Sequence, residues 1–171
     1  MIRSVLPVAL SGLFASLAIA ENLHVPGLSP DNSDSGLNLP PCILNSGSQD
    51  SCARTLACIG SNGLWFDGQA RGWNSGTLVG IRSDGVPCAG TWAYGSLIGS
   101  ASAKFECKDG LSARAIYYAQ DDETGTGIAR GIDSKGRFIR AWTGKNVLQF
   151  FGQSDVERAK LPCTEDVIPI S

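Results

Sequence analysis

Six cysteines, Cys42, Cys52, Cys58, Cys88, Cys107 and Cys163, are the residues with most chemistry to offer in this chain. Their residue type permits metal binding, dithiol redox exchange or structural cross-linking. Metal and redox sites favour Cys-x-x-Cys spacing, which the chain lacks, and its single histidine, His24, lies in a polar leader. An even cysteine count with these spacings predicts three disulfides, with no metal and no cofactor. In "PCAGTWAYGSLIGSASAKFECKDG", residues 87–110, two cysteines stand symmetrically around a glycine-bounded centre. A turn between Leu97 and Ile98 sets Cys88 opposite Cys107, Gly90 opposite Phe105, Trp92 opposite Ala103 and Tyr94 opposite Ala101. Each large residue then faces a small one, as cross-strand packing prefers, so this stretch reads as a stapled hairpin. The other four cysteines allow three pairings. Cys58 to Cys163 is favoured, because a bridge is expected to tie the tail to the region before the strands.

A second candidate is "GRFIRAWTGKN", which places Phe138, Arg140 and Trp142 on one face of a strand, with Arg137 and Lys145 close by. An arginine between two aromatic residues can hold an anionic or sugar ligand by stacking and bidentate hydrogen bonds. The same pattern also serves as a cation–π contact on a solvated face. Carboxylates for glycoside hydrolysis exist in Glu106, Asp109, Asp121, Asp122, Glu123 and Asp133, but no spacing singles out a pair. "QDDETGTG" lacks the alternating oxygen ligands of a calcium loop and reads as a hairpin loop. Gly-x-Ser-x-Gly, His-Glu-x-x-His and phosphate loops are absent from the chain, so no catalytic residue is assigned.

The elements that must position these residues are strands. From Leu64 to Gly152, runs of Val, Ile, Trp, Tyr and Phe are cut about every ten residues by glycine turns, the pattern of an all-β antiparallel meander. "GTLVGIRSDG", "SASAKFECKDG" and "TGIARGIDSKG" end at Gly85, Gly110 and Gly136, a spacing that fits one hairpin per repeat. With the flanking segments, about eight strands are expected, enough for a small closed barrel; a two-sheet sandwich is the alternative. Along "SARAIYYAQ" and "TGIARGID" one face carries Ala113, Ala115, Tyr117 and Ala119, and Gly127, Ala129, Gly131 and Asp133. Small residues on one face suit a narrow barrel interior, or alternatively a shallow groove close to a ligand. Short flanking helices are expected. "SDVERAK" has capping-box spacing and a following proline; "SQDSCARTLACIG" reads as a helix ending at Gly60 or as a strand entering an Asn-Gly turn.

Residues 1–20 carry Arg3, an apolar run and Ala18-Ile19-Ala20, the pattern of a signal peptide. Residues 21–45 form a Pro-, Ser-, Asn- and Asp-rich segment expected to be a flexible arm, and 46–171 a single disulfide-stapled domain. Without Arg3, 13 basic residues face 16 acidic ones. Such a balance implies neither nucleic acid nor an anionic membrane surface as partner. A periplasmic or secreted location is expected.

"CKDG" followed by "DETGTGIARG" resembles uncharacterised exported glycine-rich β-repeat proteins of alphaproteobacteria, which implies an envelope location in a Gram-negative bacterium and no activity. "FECKDGLSARAIYY" and "AWTGKNVLQFF" are also similar to strands of the membrane-bound C-type lysozyme inhibitors, small periplasmic disulfide-bonded barrels. Here Thr143-Gly144-Lys145 follows Trp142, so the inhibitory lysine of that family is displaced and no inhibitory residue carries over. The expected function is a non-enzymatic binding barrel for an envelope component or protein partner. A periplasmic hydrolase of envelope glycans and a lysozyme-inhibitor-like protein are the alternatives.

Overall fold

The structure, a computed structural model, describes residues 41–95, 100–121, 123–154 and 159–164. The chain divides into two units, 1–30 and 31–171, and every described residue lies in the second. The signal peptide, most of the arm and the centre of "SDVERAK" lie outside the described residues.

Eight strands form a closed antiparallel meander in which each pairs with its chain neighbours and β8 returns to β1. They are β1 (Cys52–Ile59), β2 (Trp65–Trp73), β3 (Ser75–Arg82), β4 (Pro87–Tyr94), β5 (Ala101–Cys107), β6 (Ser112–Asp121), β7 (Thr126–Asp133) and β8 (Phe138–Thr143). The barrel replaces the sandwich alternative, because closure pairs both edges that an open sheet would expose. A 3-10 turn at Val147–Phe151 follows β8.

The expected register holds. Cys88 pairs with Cys107, Gly90 with Phe105, Trp92 with Ala103 and Tyr94 with Ala101. Disulfides join Cys88 to Cys107, Cys58 to Cys163, and Cys42 to Cys52. The three repeat glycines take the same position in three turns: the amides of Gly85, Gly110 and Gly136 donate to the carbonyls of Arg82, Cys107 and Asp133. Each sits at positive φ, between 77° and 88°, which glycine adopts without a Cβ clash. All three turns therefore lie at one end of the barrel.

The helical reading of "SQDSCARTLACIG" is corrected: its core is β1, and Ser61–Gly63 forms the turn into β2. Both faces of β1 are buried, so its sequence lacks the polar alternation of a half-exposed strand and shows no periodicity that separates strand from helix. Ala57 and Ile59 face the interior. Leu56 and Cys58 face outward into a second cluster with Trp142, Val147, Leu148, Ala159, Leu161 and Cys163. Asp67 accepts hydrogen bonds from Arg54 and from the Ala159 amide, which pins the returning tail to this outer side.

The turn end is closed. Phe66 and Phe105 stack with ring centroids 5.4 Å apart. Gly68 and Gly80 leave the space the Phe66 ring fills, since a Cβ on either would lie within 2.5 Å of that ring. The small-residue faces of β6 and β7 supply interior: Ala113, Ala115, Tyr117, Ala129 and Asp133 are all buried. A bulge shifts the β6–β7 register after Tyr117.

Candidate ligand site at the open mouth

The opposite end of the barrel is not filled. β1, β3, β5 and β7 begin there and β2, β4, β6 and β8 end there, leaving a cavity of ≈ 80 Å³ among their interior-facing residues. That space suits a small organic group, and the open rim lets a longer ligand project into solvent. Its walls are Ala70 and Leu78 from β2 and β3, Trp92 and Tyr94 from β4, and Ala101 and Ala103 from β5. Trp73 and Leu44 stand at the rim. The Trp92 indole donates to the Arg71 carbonyl at 3.1 Å and packs edge-on to Tyr94, so the ring is held in place without a ligand. Leu44 leans against Gly125 and Ala53, where a Cβ on Gly125 would lie 3.0 Å from its methyl. Leu44 belongs to the segment read as a flexible arm; its residues 41–45 are tied down by the Cys42–Cys52 disulfide and by the Cys52 amide donating to Ile43.

Polar groups enter from β1 and β6–β8. Tyr117, Thr126, Thr143, Ser51 and Asp121 line the cavity. Tyr117 is fully enclosed, and burial drives its phenol well above the ordinary tyrosine range, so the hydroxyl stays protonated. Beside it Thr55, 2% exposed and paired with Thr143 of β8, lies behind the cavity wall, where its Oγ1 meets the Tyr117 phenol at poor hydrogen-bond geometry. A buried hydroxyl left unpaired is costly unless something else satisfies it. At the rim, Thr124 Oγ1 donates to Asp121 at 2.6 Å, and with the Glu123 amide holds its carboxyl below the usual carboxylate range. Among the described residues no cation lines the cavity. The arrangement offers aromatic stacking, neutral hydrogen bonding and one peripheral negative charge.

The residues singled out in "GRFIRAWTGKN" lie elsewhere. Phe138, Arg140 and Trp142 share the outer face of β8, as their alternation implies. Phe138 is 78% exposed, whereas Trp142 is buried against Phe151 in the cluster under the tail, with Arg140 between them half-buried. Arg137 pairs with Asp133 across the β7–β8 turn, and Lys145 is exposed on the loop after β8. The described carboxylates are dispersed as well, and Asp122 lies outside the described residues. Asp109 pairs with Arg82 and Asp133 with Arg137 at the closed end, while Asp121 and Glu123 stand at the mouth and Glu106 on the outside. Among the described residues no group of three or more His, Cys, Asp or Glu is placed to hold a metal ion.

The mouth residues Trp92, Tyr94 and Tyr117 were legible only as packing partners. The available signal is that the residues paired with each across the interior are small: Ala103 for Trp92, and Ala101 for both Tyr94 and Tyr117.

No family model matches the chain, and no curated protein matches it. Among solved structures it is similar to a redesigned β barrel, mFAP0, bound to DFHBI, at 12% identity and a TM-score of 0.45, covering 57% of this chain and 98% of that one. It is also similar to a second redesigned barrel, mFAP1, bound to DFHBI, at 15% identity and a TM-score of 0.44, covering 57% and 94% of the two chains.

Proposed function

We propose that this protein is an exported, non-enzymatic binding barrel that takes a small, uncharged, amphipathic ligand from the cell envelope into its open mouth. The observation that carries the reading is an aromatic, alkyl-lined cavity with the buried, neutral Tyr117 phenol in its wall. A ligand's hydroxyl, carbonyl or amide would pair with the Tyr117 phenol while its apolar body lies between Trp92, Tyr94 and Leu78. Anions are disfavoured by Asp121 and by the absence of a cation from the walls among the described residues. The signal-peptide pattern supports export, and three disulfides fit an oxidising compartment.

The test uses the neutral fluorophore N-phenyl-1-naphthylamine with the disulfide-intact protein. Saturable one-to-one fluorescence enhancement is expected, with loss of most of it in Ala101→Phe, which fills the cavity, and in Trp73→Ala, which removes a rim wall. Enhancement that never saturates, or that survives both substitutions in folded protein, overturns the reading. Native mass spectrometry of protein from its own host then reports the physiological adduct.

A further inference from the structure

The outer face of β6, β7 and β8 is unlike the rest of the barrel wall. Lys104 of β5 pairs in register with Arg114 of β6, Arg114 with Ile132 of β7, and Ile132 with Phe138 of β8. In the next row Ile116 pairs with Arg130, and Arg130 with Arg140. Tyr118 lies at the bulge, with the Arg130 guanidinium 5.8 Å from its ring centroid. Strands lie about 4.8 Å apart, so these side chains form one continuous patch. Its apolar members are open to solvent: Ile116 is 59% exposed, Tyr118 54%, Ile132 50% and Phe138 78%. None of Lys104, Arg114, Arg130 and Arg140 forms an ion pair among the described residues, although other arginines of the barrel do. Glu106, the carboxylate next along β5 on the outer side, stands beyond Lys104 at the border and is also unpaired among the described residues.

We propose that this face docks the protein onto an anionic lipid bilayer, with Phe138, Ile132 and Ile116 entering the interface and the four cations pairing with lipid phosphates. Charge complementarity calls for an anionic partner, and interspersed alkyl and aromatic groups match a surface that is charged outside and apolar within. All eight strands are paired, so no edge is open to an extended peptide. A second copy in a symmetric face-to-face pair would set four cations against four. The chain's formal charge of −2 does not oppose docking, because at physiological salt a charge acts only within about 8 Å. The proposal rests on the outer wall alone and is independent of the mouth.

The experiment is co-sedimentation of the disulfide-intact protein with phosphatidylcholine vesicles, with and without a phosphatidylglycerol minority. Binding is expected only to the anionic vesicles and should weaken at high salt. Each arginine near the surface contributes about fivefold, so Arg114→Gln/Arg130→Gln should lose about 25-fold in affinity. Phe138→Ser should lose about tenfold by removing apolar insertion. All these side chains are outside the core, and unchanged near-ultraviolet circular dichroism confirms folded variants. Ala101→Phe should bind vesicles like the parent. Equal binding to both vesicle types, or undiminished binding of the variants, overturns the proposal. So does capture by polyglutamate without vesicle binding, which assigns the face to an acidic protein, or a dimer abolished by Phe138→Ser.

Discussion

Thr55 sits where the packed interior meets the mouth, and its buried Oγ1 meets only the Tyr117 phenol, at poor hydrogen-bond geometry. Replacing an unsatisfied hydroxyl by a methyl removes its desolvation cost without changing side-chain shape. Thr55→Val is therefore expected to raise the unfolding free energy by about 1 kcal/mol in urea titrations. An unchanged or lowered value would mean that the Tyr117 phenol already satisfies the hydroxyl. The sequence flagged Thr55 no more than any other strand threonine, because what it meets depends on which side chains reach it across the barrel. Arg140 and Trp142 show the converse. Their spacing correctly placed them on one face, but that face is the outside, and the tail covers Trp142.

At the scale of the element, the three glycine turns are equivalent in path and differ in what caps them. In the β7–β8 turn the Asp133 carboxylate, with a side chain 0% exposed, accepts from the amides of Lys135 and Arg137 and from the Arg137 guanidinium at 2.7 Å. Burial alone would raise its pKa, but these donors outweigh burial and hold it below its ordinary value. A carboxyl depressed in the folded state adds stability above its unfolded value, near 3.8, that is lost as pH falls through the folded one. Asp84 and Asp109, depressed chiefly by hydrogen bonds from Arg82, act in the same direction. Asp133→Asn should cost about 2 kcal/mol at pH 7 and make the fall in stability below pH 4 shallower, as measured by denaturant midpoints across pH. A parallel acid profile would mean Asp133 is protonated in the folded state. β1 carries the opposite lesson. Its two buried faces remove the alternation by which strands announce themselves, so its type had to be read from the Asn-Gly turn that follows.

For the whole molecule, the disulfides differ in what they constrain. Cys58–Cys163 closes 105 residues and fastens the tail over Trp142, whereas Cys88–Cys107 closes 19 within one hairpin. Chain entropy assigns the longer loop about 1.5 kcal/mol more. Paired Cys→Ala removal of Cys58–Cys163 is therefore expected to cost about 4 to 5 kcal/mol, against about 3 for Cys88–Cys107. Equal losses in guanidinium titrations would show that local packing, not loop length, sets their value.

The sequence by itself determined what is local or alternating: hairpin register, the Cys88–Cys107 staple, the glycine turns, the all-β meander and which alternate residues of β7 and β8 share a face. Those features depend on chemistry within a few residues or on a period of two. Only the tertiary structure decided that the sheet closes, which end is plugged by Phe66 and Phe105, and which end is left open beneath Trp92 and Tyr94. It also decided that a chain of nearly balanced charge gathers Lys104, Arg114, Arg130 and Arg140 on one wall, because the register between the successive strands β5 to β8 sets their outward cations side by side.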